Sequence, residues 1–388
     1  MEHSIKTAAE IRQNNKKKIL SYLIDHDCVS KKDIERKTML STATVSNLCN
    51  QLMRDGFLSV ASLQKSSGGR NASLLTVLHN RKFYIALRLV DDISVHVALI
   101  TFHKEIVNSF SVPVQEKNCE SIMKACAYGV NQCLQGEEQI QVIGIGVALP
   151  GIVDLESGIL INSTIACLEG ENVIGQLQQL MPQYSITGAN ESNLIALAVA
   201  RRCREDNYLQ DTIYLHLDDG LGIGIICNGN LVTGSHNRGG EISHMPIGER
   251  NRVCECGCRG CIEPELSIGG FLADYKDETG EEISWEDFCR KVREQEECAH
   301  YIIEEKGRIL GKLVSALDAL FDPNVFFIGG RGVDVYDDMA EYIMEVYRNR
   351  QSIDKRKKLM IHPCREYDEL LMKGCADLVF HSFTIQSD

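Results

Sequence analysis

"HMPIGERNRVCECGCRGCIEPE", residues 244–265, crowds Cys254, Cys256, Cys258 and Cys261 into eight positions, ten residues after His244. Thiols this close to one another and to an imidazole serve either as ligands for one soft cation or as a redox-active cluster. Gly257 and Gly260 supply the tight turns that so compact a loop requires. Working outward from this loop, the remaining sequence must say what kind of protein carries it.

The chain has 388 residues, more than one hydrophobic core usually organises, so two or three domains are expected. A hydrophobic content of 44% and a charged content of 24% exclude general disorder. No apolar run is long enough to span a bilayer, and "MEHSIKTAAEIRQNNKKKIL" lacks the apolar core and small-residue cleavage site of a secretory signal, so a cytoplasmic protein without a membrane partner is expected. Twelve of the sixteen cysteines lie outside the loop, many in apolar or helical segments such as "IMKACAYGVNQCL". In a reducing compartment they are free thiols packed as small hydrophobes, and a disulfide framework is the weaker reading.

Charge is uneven along the chain. Residues 1–80 hold twelve Lys and Arg against seven Asp and Glu, a net of +5, which leaves −18 for the remainder of a chain whose total is −13. A basic head on an acidic body implies that the head alone meets a polyanion. Ile19, Leu20, Leu23 and Ile24 form one apolar stripe, Ser30 caps a second helix carrying Ile34, and Val45, Leu48, Leu52 and Met53 give a third helix a buried face from about Thr42. After Gly56, "FLSVASLQKSSGGRNASLLTVL" reads as a β-hairpin wing turning at Gly68, Gly69 and Arg70. This predicts a winged helix-turn-helix over residues 12–80, with double-stranded operator DNA as its expected partner; a helical domain that only mediates protein contacts is the weaker reading. The third helix offers Ser41, Thr42, Thr44, Ser46, Asn47 and Asn50 to phosphates or base edges, and Lys65 and Arg70 can follow the backbone or enter the minor groove. Because this face is poor in Lys and Arg, modest affinity per monomer and dependence on a homodimer or tetramer are expected.

The body is α/β. "KFYIALRLVDDISVHVALITFHKEIVNSFSVPV" holds three β-rich runs, followed by a helix near residues 118–135 and the strand "VIGIGVALPG". "TIYLHLDDGLGIGIICNGNLVTG" reads as two strands around a glycine-bearing turn, and a long helix from about Ala299 to Leu320 leads into the strand and glycine turn of "FDPNVFFIGGRG".

Together "ILSYLIDHDCVSKKDIERKTMLSTATVSNL", "SSGGRNASLL", "ALPGIVDLESG", "DGLGIGIICNGNLVTG", "GGEISHMPIG", "CECGCRGCIE" and "DPNVFFIGG" resemble the ROK family, repressors and sugar kinases built on the two-lobed actin-like ATPase fold. The resemblance implies a first lobe over residues 82–190, completed by a C-terminal helix at about 367–388, and a second lobe over 191–366 bearing the cysteine loop and a dimerisation surface. It implies that His244, Cys254, Cys256 and Cys261 hold a structural zinc, with Cys258 outside the ligand set. A zinc so enclosed organises a loop and has no open position for catalysis. It further implies that Asn190, Glu191, Glu241, His244 and Glu263 face the hydroxyls of a small-molecule ligand, a sugar or sugar derivative.

The same resemblance marks departures from a kinase. The family's first phosphate turn, Asp-x-Gly-Gly-Thr, corresponds to Leu89, Val90, Asp91, Asp92 and Ile93, so two carboxylates stand where phosphates would bind. The second turn, Gly-Thr-Gly, reads Asp218, Asp219, Gly220, and the general base, an Asp in the family, is Glu191. "INSTIACLEGENV" departs from the family's Asn-Leu-x-x-Trp pattern, which leaves the sugar's identity open. The expectation is a repressor that binds no ATP, has no catalytic residues and senses a carbohydrate. The rivals are an ATP-dependent sugar kinase with an added head, and a constitutive DNA-binding or scaffold protein that has lost its ligand.

Overall fold

Side-chain caps start the three helices of the head. Thr7 and Glu10 exchange hydrogen bonds in a capping box before α1 (Ala8–Asp25). Ser30 accepts from the Asp33 amide at the start of α2 (Lys31–Thr38), and Ser41 does the same with Thr44 before α3 (Thr42–Arg54). Between α2 and α3 the chain reverses at Met39, whose φ of 58° is left-handed. Ile19, Leu20, Leu23, Ile34, Val45 and Leu52 are wholly buried, and Met53 is half-buried at the edge of this core. A polar contact also lies within it: Lys16, 1% exposed, pairs with Asp55 at 3.1 Å and so ties α1 to the end of α3. β1 (Val29–Ser30) and β2 (Leu58–Gln64) flank β3 (Ala72–Val77), completing the wing's antiparallel sheet.

The computed structural model describes residues 7–26, 28–64, 72–78, 82–90, 94–136, 140–154, 157–205, 211–350 and 358–383. Lys65, Gly68, Gly69 and Arg70 of the wing, and Asp91, Asp92 and Ile93 of the first turn, lie outside the described residues. Two compact units result: residues 1–189 with 375–388, and residues 190–374.

In the first unit, β4 (Lys82–Val90), β5 (Ser94–Thr101) and β6 (Ile106–Pro113) form an antiparallel run, and α4 (Cys119–Cys133) leads to β7 (Gln141–Leu149), which lies parallel to β4. A small ribbon of β8 (Gly151–Val153) and β9 (Leu160–Ser163) and the helix α5 (Val173–Leu180) precede β10 (Ile186–Asn190), giving the order β10-β7-β4-β5-β6. Strand β4 is buried along almost its whole length, as a strand covered on both faces must be.

In the second unit α6 (Glu191–Glu205) is followed by β11 (Thr212–Leu217), β12 (Leu221–Cys227) and β13 (Asn230–Leu231), again antiparallel. The helices α7 (Glu263–Leu266), α8 (Ile268–Thr279), α9 (Trp285–Arg293) and α10 (Glu297–Phe321) lead to β14 (Val325–Gly329), parallel to β11. Then come α11 (Tyr336–Arg350), β15 (Ile361–Pro363) and α12 (Tyr367–Ser382), with strand order β13-β12-β11-β14-β15. Both sheets therefore have one plan, three antiparallel strands followed by two that return beside the first. This is the mixed α/β body expected from the sequence, carried behind a winged head.

The last turns of α12 join the first unit. An added Cβ at Gly146 of β7 would lie 2.4 Å from the Cys375 carbonyl oxygen, so strand and helix touch backbone to backbone. Lys104, 3% exposed, pairs with Asp377 at 3.3 Å and lies 4.0 Å from the centre of the Tyr84 ring. Beyond it Phe102 contacts Tyr84, Phe380 and Phe57, and Phe57, from the head, also meets Phe383. Lys17 of α1 donates to the His381 carbonyl at 2.6 Å, and His103 lies 3.3 Å from the Ile24 carbonyl. The head is thereby seated on the first lobe and on the end of α12. Gly146→Ala is expected to cost about 1–3 kcal/mol through overpacking, read as a lower urea midpoint by circular dichroism. An unchanged midpoint would mean that helix and strand can separate freely.

Candidate functional site

The cysteine loop closes on itself through its own backbone. Gly257 donates to the Cys254 carbonyl, Cys254 to that of Cys258, and Gly260 to that of Arg252. Gly257 and Gly260 have φ of 82° and 78°, left-handed values that favour glycine. One ligand atom from each of His244, Cys254, Cys256 and Cys261 falls within 4.8 Å of the others. Two edges of the figure are 3.5 Å, from Cys254 Sγ to His244 Nδ1, and 3.7 Å, from Cys256 Sγ to Cys261 Sγ. Zinc–sulfur bonds of about 2.3 Å and zinc–nitrogen bonds of about 2.0 Å in a tetrahedron require edges of roughly 3.5–3.8 Å. The donors thus suit a metal such as zinc in both chemistry and spacing; Cys258, exposed and hydrogen-bonded to Cys256, is not one of the four.

Buried charge anchors this loop to the body. Asp274 of α8, fully buried, pairs with Arg250 at 3.1 Å, and also with Arg252 and the fully buried Lys306 of α10. The Arg250 amide donates to Glu265 at 2.7 Å, and its guanidinium also pairs with Glu305. Arg252 reaches Asp277 at 2.6 Å. Burial works against the charge on Lys306, and the Asp274 carboxylate opposes that effect.

The candidate ligand residues stand around the loop and at the start of α6. Glu263, first in α7, lies 3.8 Å from Cys254 Sγ and accepts from the Leu221 amide at 3.4 Å, so the loop adjoins the second glycine turn. Glu241 is half-buried. Burial lifts its carboxyl above the usual range, with Glu263 adding to the effect and His244 and Arg238 opposing it. Glu241, His244 and Glu263 are therefore electrostatic neighbours. Asn190 accepts from the Asn193 amide at 2.8 Å and caps α6. The adjoining Glu191 carboxylate accepts the Tyr367 hydroxyl, and the Tyr367 ring stacks on His216 with centroids 5.1 Å apart.

Arg331, in "GGRG", was read from sequence only as part of a glycine turn. Its amide and Nε donate to Asp218 at 2.9 and 2.7 Å, and its guanidinium also pairs with Asp219. Burial opposes ionisation of Asp218, but the bonds from Arg331 prevail and hold its carboxyl below the usual range. The second turn thus carries its own counter-cation. Tyr367 was likewise missed, since nothing local to it in the sequence points to Glu191.

On α3, Ser41, Thr42, Asn47 and Asn50 are exposed, whereas Thr44 and Ser46 are half-buried. Ser41 is engaged as the cap, and Thr42 donates to Glu35 at 3.1 Å. Lys31 reaches across from α2 to Ser46 at 3.2 Å and Asn50 at 3.1 Å, adding a cation to this face. Sequence reading counted only the charges on α3 itself and overlooked Lys31.

Residues 92–381 match the ROK family. The chain belongs to this family. Among ROK relatives, the xylose repressor of Caldicellulosiruptor bescii is 28% identical over 95% of this chain and 96% of its own length. The N-acetylglucosamine repressor of Shigella flexneri is 26% identical over 82% of this chain and 81% of its own. A crystal structure of a ROK family transcriptional regulator, described as a homologue of the Escherichia coli MLC protein, superposes with a TM-score of 0.81 at 20% identity, covering 96% of this chain and 97% of that one. No helix among the described residues is long and apolar enough to cross a membrane.

Metal analysis of protein purified without added zinc is expected to find one zinc per chain. Cys256→Ser should release it and lower the melting temperature, because a structural metal contributes its binding energy to folding. Cys258→Ser should retain it. A metal-free wild type that melts as high as the zinc-supplemented protein would rule out the site.

Proposed function

We propose that this chain is a DNA-binding transcriptional repressor whose kinase-derived body senses a sugar and does not phosphorylate it. The observation that carries this reading is the winged head, with an exposed polar face on α3, in one chain with carboxylates placed around a thiol-rich loop. The repressor names of relatives aligned over most of the chain support it. In this reading His244, Cys254, Cys256 and Cys261 hold a structural zinc, and Asn190, Glu191, Glu241, His244 and Glu263 bind the sugar. The carboxylate oxygens of Glu191 and Glu263 accept hydroxyl hydrogen bonds. Ser41, Thr42, Thr44, Ser46, Asn47, Lys65 and Arg70 meet the operator, and a dimer or tetramer formed through the second lobe presents paired heads to paired half-sites. Sugar and operator then weaken each other's binding by one common factor.

Phosphoryl transfer needs donors and cations free to meet phosphate. Here the cation at the second turn, Arg331, already serves Asp218 and Asp219. Asp91 and Asp92 add negative charge in the first turn, and Glu191 carries an extra methylene where the family has Asp. These features favour a regulator over a kinase.

Mobility-shift titrations test the head. Asn47→Ala should weaken specific operator binding by about 1–3 kcal/mol with little effect on random duplex, whereas Arg70→Ala should weaken both and reduce the salt dependence. Operator binding that survives deletion of residues 1–80 would refute the assignment. Melting scans test the body: D-xylose or N-acetylglucosamine should raise the melting temperature, and ATP with magnesium should leave it unchanged. Sugar-dependent ADP release would instead restore the kinase reading.

A further inference from the structure

Two exposed asparagines on α3, Asn47 and Asn50, have their carboxamides turned the same way. Lys31 of α2 donates to Asn50 Oδ1 at 3.1 Å and to Ser46 Oγ at 3.2 Å. An ammonium has donors only, so it must face the oxygen of the Asn50 carboxamide, and the NH2 group of Asn50 is directed away from it. Asn47 is oriented by a second chain of bonds. Arg12 of α1 donates from Nε to Gln51 Oε1 at 3.3 Å, and Gln51, 7% exposed, donates from Nε2 to Asn47 Oδ1 at 3.2 Å. A guanidinium likewise only donates, so it sets the Gln51 carboxamide, which in turn sets that of Asn47. Ser46 accepts from Lys31 and so keeps its own hydroxyl proton to donate. Ser46, Asn47 and Asn50 therefore offer O–H and N–H donors outward, while their oxygens are engaged by the protein. Thr42, one turn earlier, has the opposite sense, since its hydroxyl donates to Glu35 at 3.1 Å.

We propose that Asn47 and Asn50 read guanine in the operator, and that Lys31, Gln51 and Arg12 set this preference by orienting them, an inference that rests on the operator-binding reading above. In the major groove guanine presents two neighbouring acceptors, N7 and O6. Adenine presents one acceptor beside the N6 amino donor, thymine a single acceptor beside a methyl group, and cytosine only the N4 donor. An asparagine ordinarily pairs with adenine through both ends of its carboxamide, the oxygen accepting from N6 and the nitrogen donating to N7. Asn47 and Asn50 have their oxygens turned to Gln51 and Lys31 instead. Rotating either carboxamide to suit adenine would set its NH2 group against the N–H groups of Gln51 or Lys31, leaving donors without an acceptor. Guanine asks for no rotation, because donors already face its two acceptors. Lys31, Gln51 and Arg12 are positioning residues, and they act on the base through the asparagines they hold.

Selection of binding sites from a randomised duplex pool by the full-length protein tests this, followed by affinities for single duplexes. The base pairs at which Asn47→Ala and Asn50→Ala lose selectivity locate the two contacts, and both should be G·C. Replacing either guanine by adenine, or by 7-deazaguanine, which lacks the N7 acceptor, should weaken wild-type binding by roughly 5- to 150-fold, the effect of one mismatched pair. Gln51→Glu puts an acceptor where Asn47 now meets a donor, and it keeps the side chain's size and a partner for Arg12. Asn47 then turns its NH2 group inward and its oxygen outward, so the base selected at its position should change from guanine to adenine or cytosine, with the rest of the site unchanged. Lys31→Met should abolish the guanine preference at the Asn50 position and, through the lost cation, also weaken binding to random duplex. Melting scans show whether both variants fold, and Lys31→Met decides the matter should Gln51→Glu unfold the head. Contacts located at pairs other than G·C, or folded variants that select the wild-type sequence, overturn the inference. A protein that enriches no sequence from the pool overturns the operator-binding reading as well.

Discussion

Three cations converge on one buried carboxylate, and the arrangement of the second unit follows from keeping that charge satisfied. Asp274 has no solvent to fall back on, and neither does Lys306. A buried ion stripped of its partner costs far more than an intact pair contributes, so Arg250 and Arg252 are held where they neutralise Asp274, and the loop that carries them is held with them. The thiols and the imidazole meet because this loop is closed by its hydrogen bonds and clamped by its arginines. Glu263 follows directly from the clamped loop into α7, which fixes its carboxylate beside the Leu221 amide.

The sequence was most legible where the signal is local. Ser30 and Ser41 announce their helices because a hydroxyl three residues ahead of an amide is a cap wherever it occurs, and the structure uses both. The cysteine loop is equally local, and its four ligand candidates converge. What escaped depends on contacts between distant parts of the chain. Arg331 reaches Asp218 across 113 positions, and Tyr367 reaches Glu191 across 176, distances over which no spacing rule operates. The shared plan of the two sheets was also invisible: it lies in the order and direction of strands, which unrelated apolar residues satisfy equally well.

The second glycine turn is braced by a cation from a distant part of the chain. Asp218 and Asp219 both direct their carboxylates at the Arg331 guanidinium. An acidic pair left bare would repel itself and loosen the turn. Arg331 instead makes the carboxylates into braces between the ends of β11 and β14, two strands that already pair in parallel. The turn so braced stands beside Glu263, which accepts from the Leu221 amide just after it.

The crossing of α12 from one unit into the other also bears on how the protein is made. Residues 375–388 complete a unit that otherwise consists of residues 1–189. During synthesis the head and first lobe emerge early, yet β7 waits for the helix that covers Gly146, and Phe57 waits for Phe383. Because chains fold from the amino end as they leave the ribosome, the DNA-reading head reaches its final seat only after α12 has been translated. A chain broken off before α12 would present a head held only by its contacts with the first lobe, among them Phe57 on Phe102 and His103 near the Ile24 carbonyl.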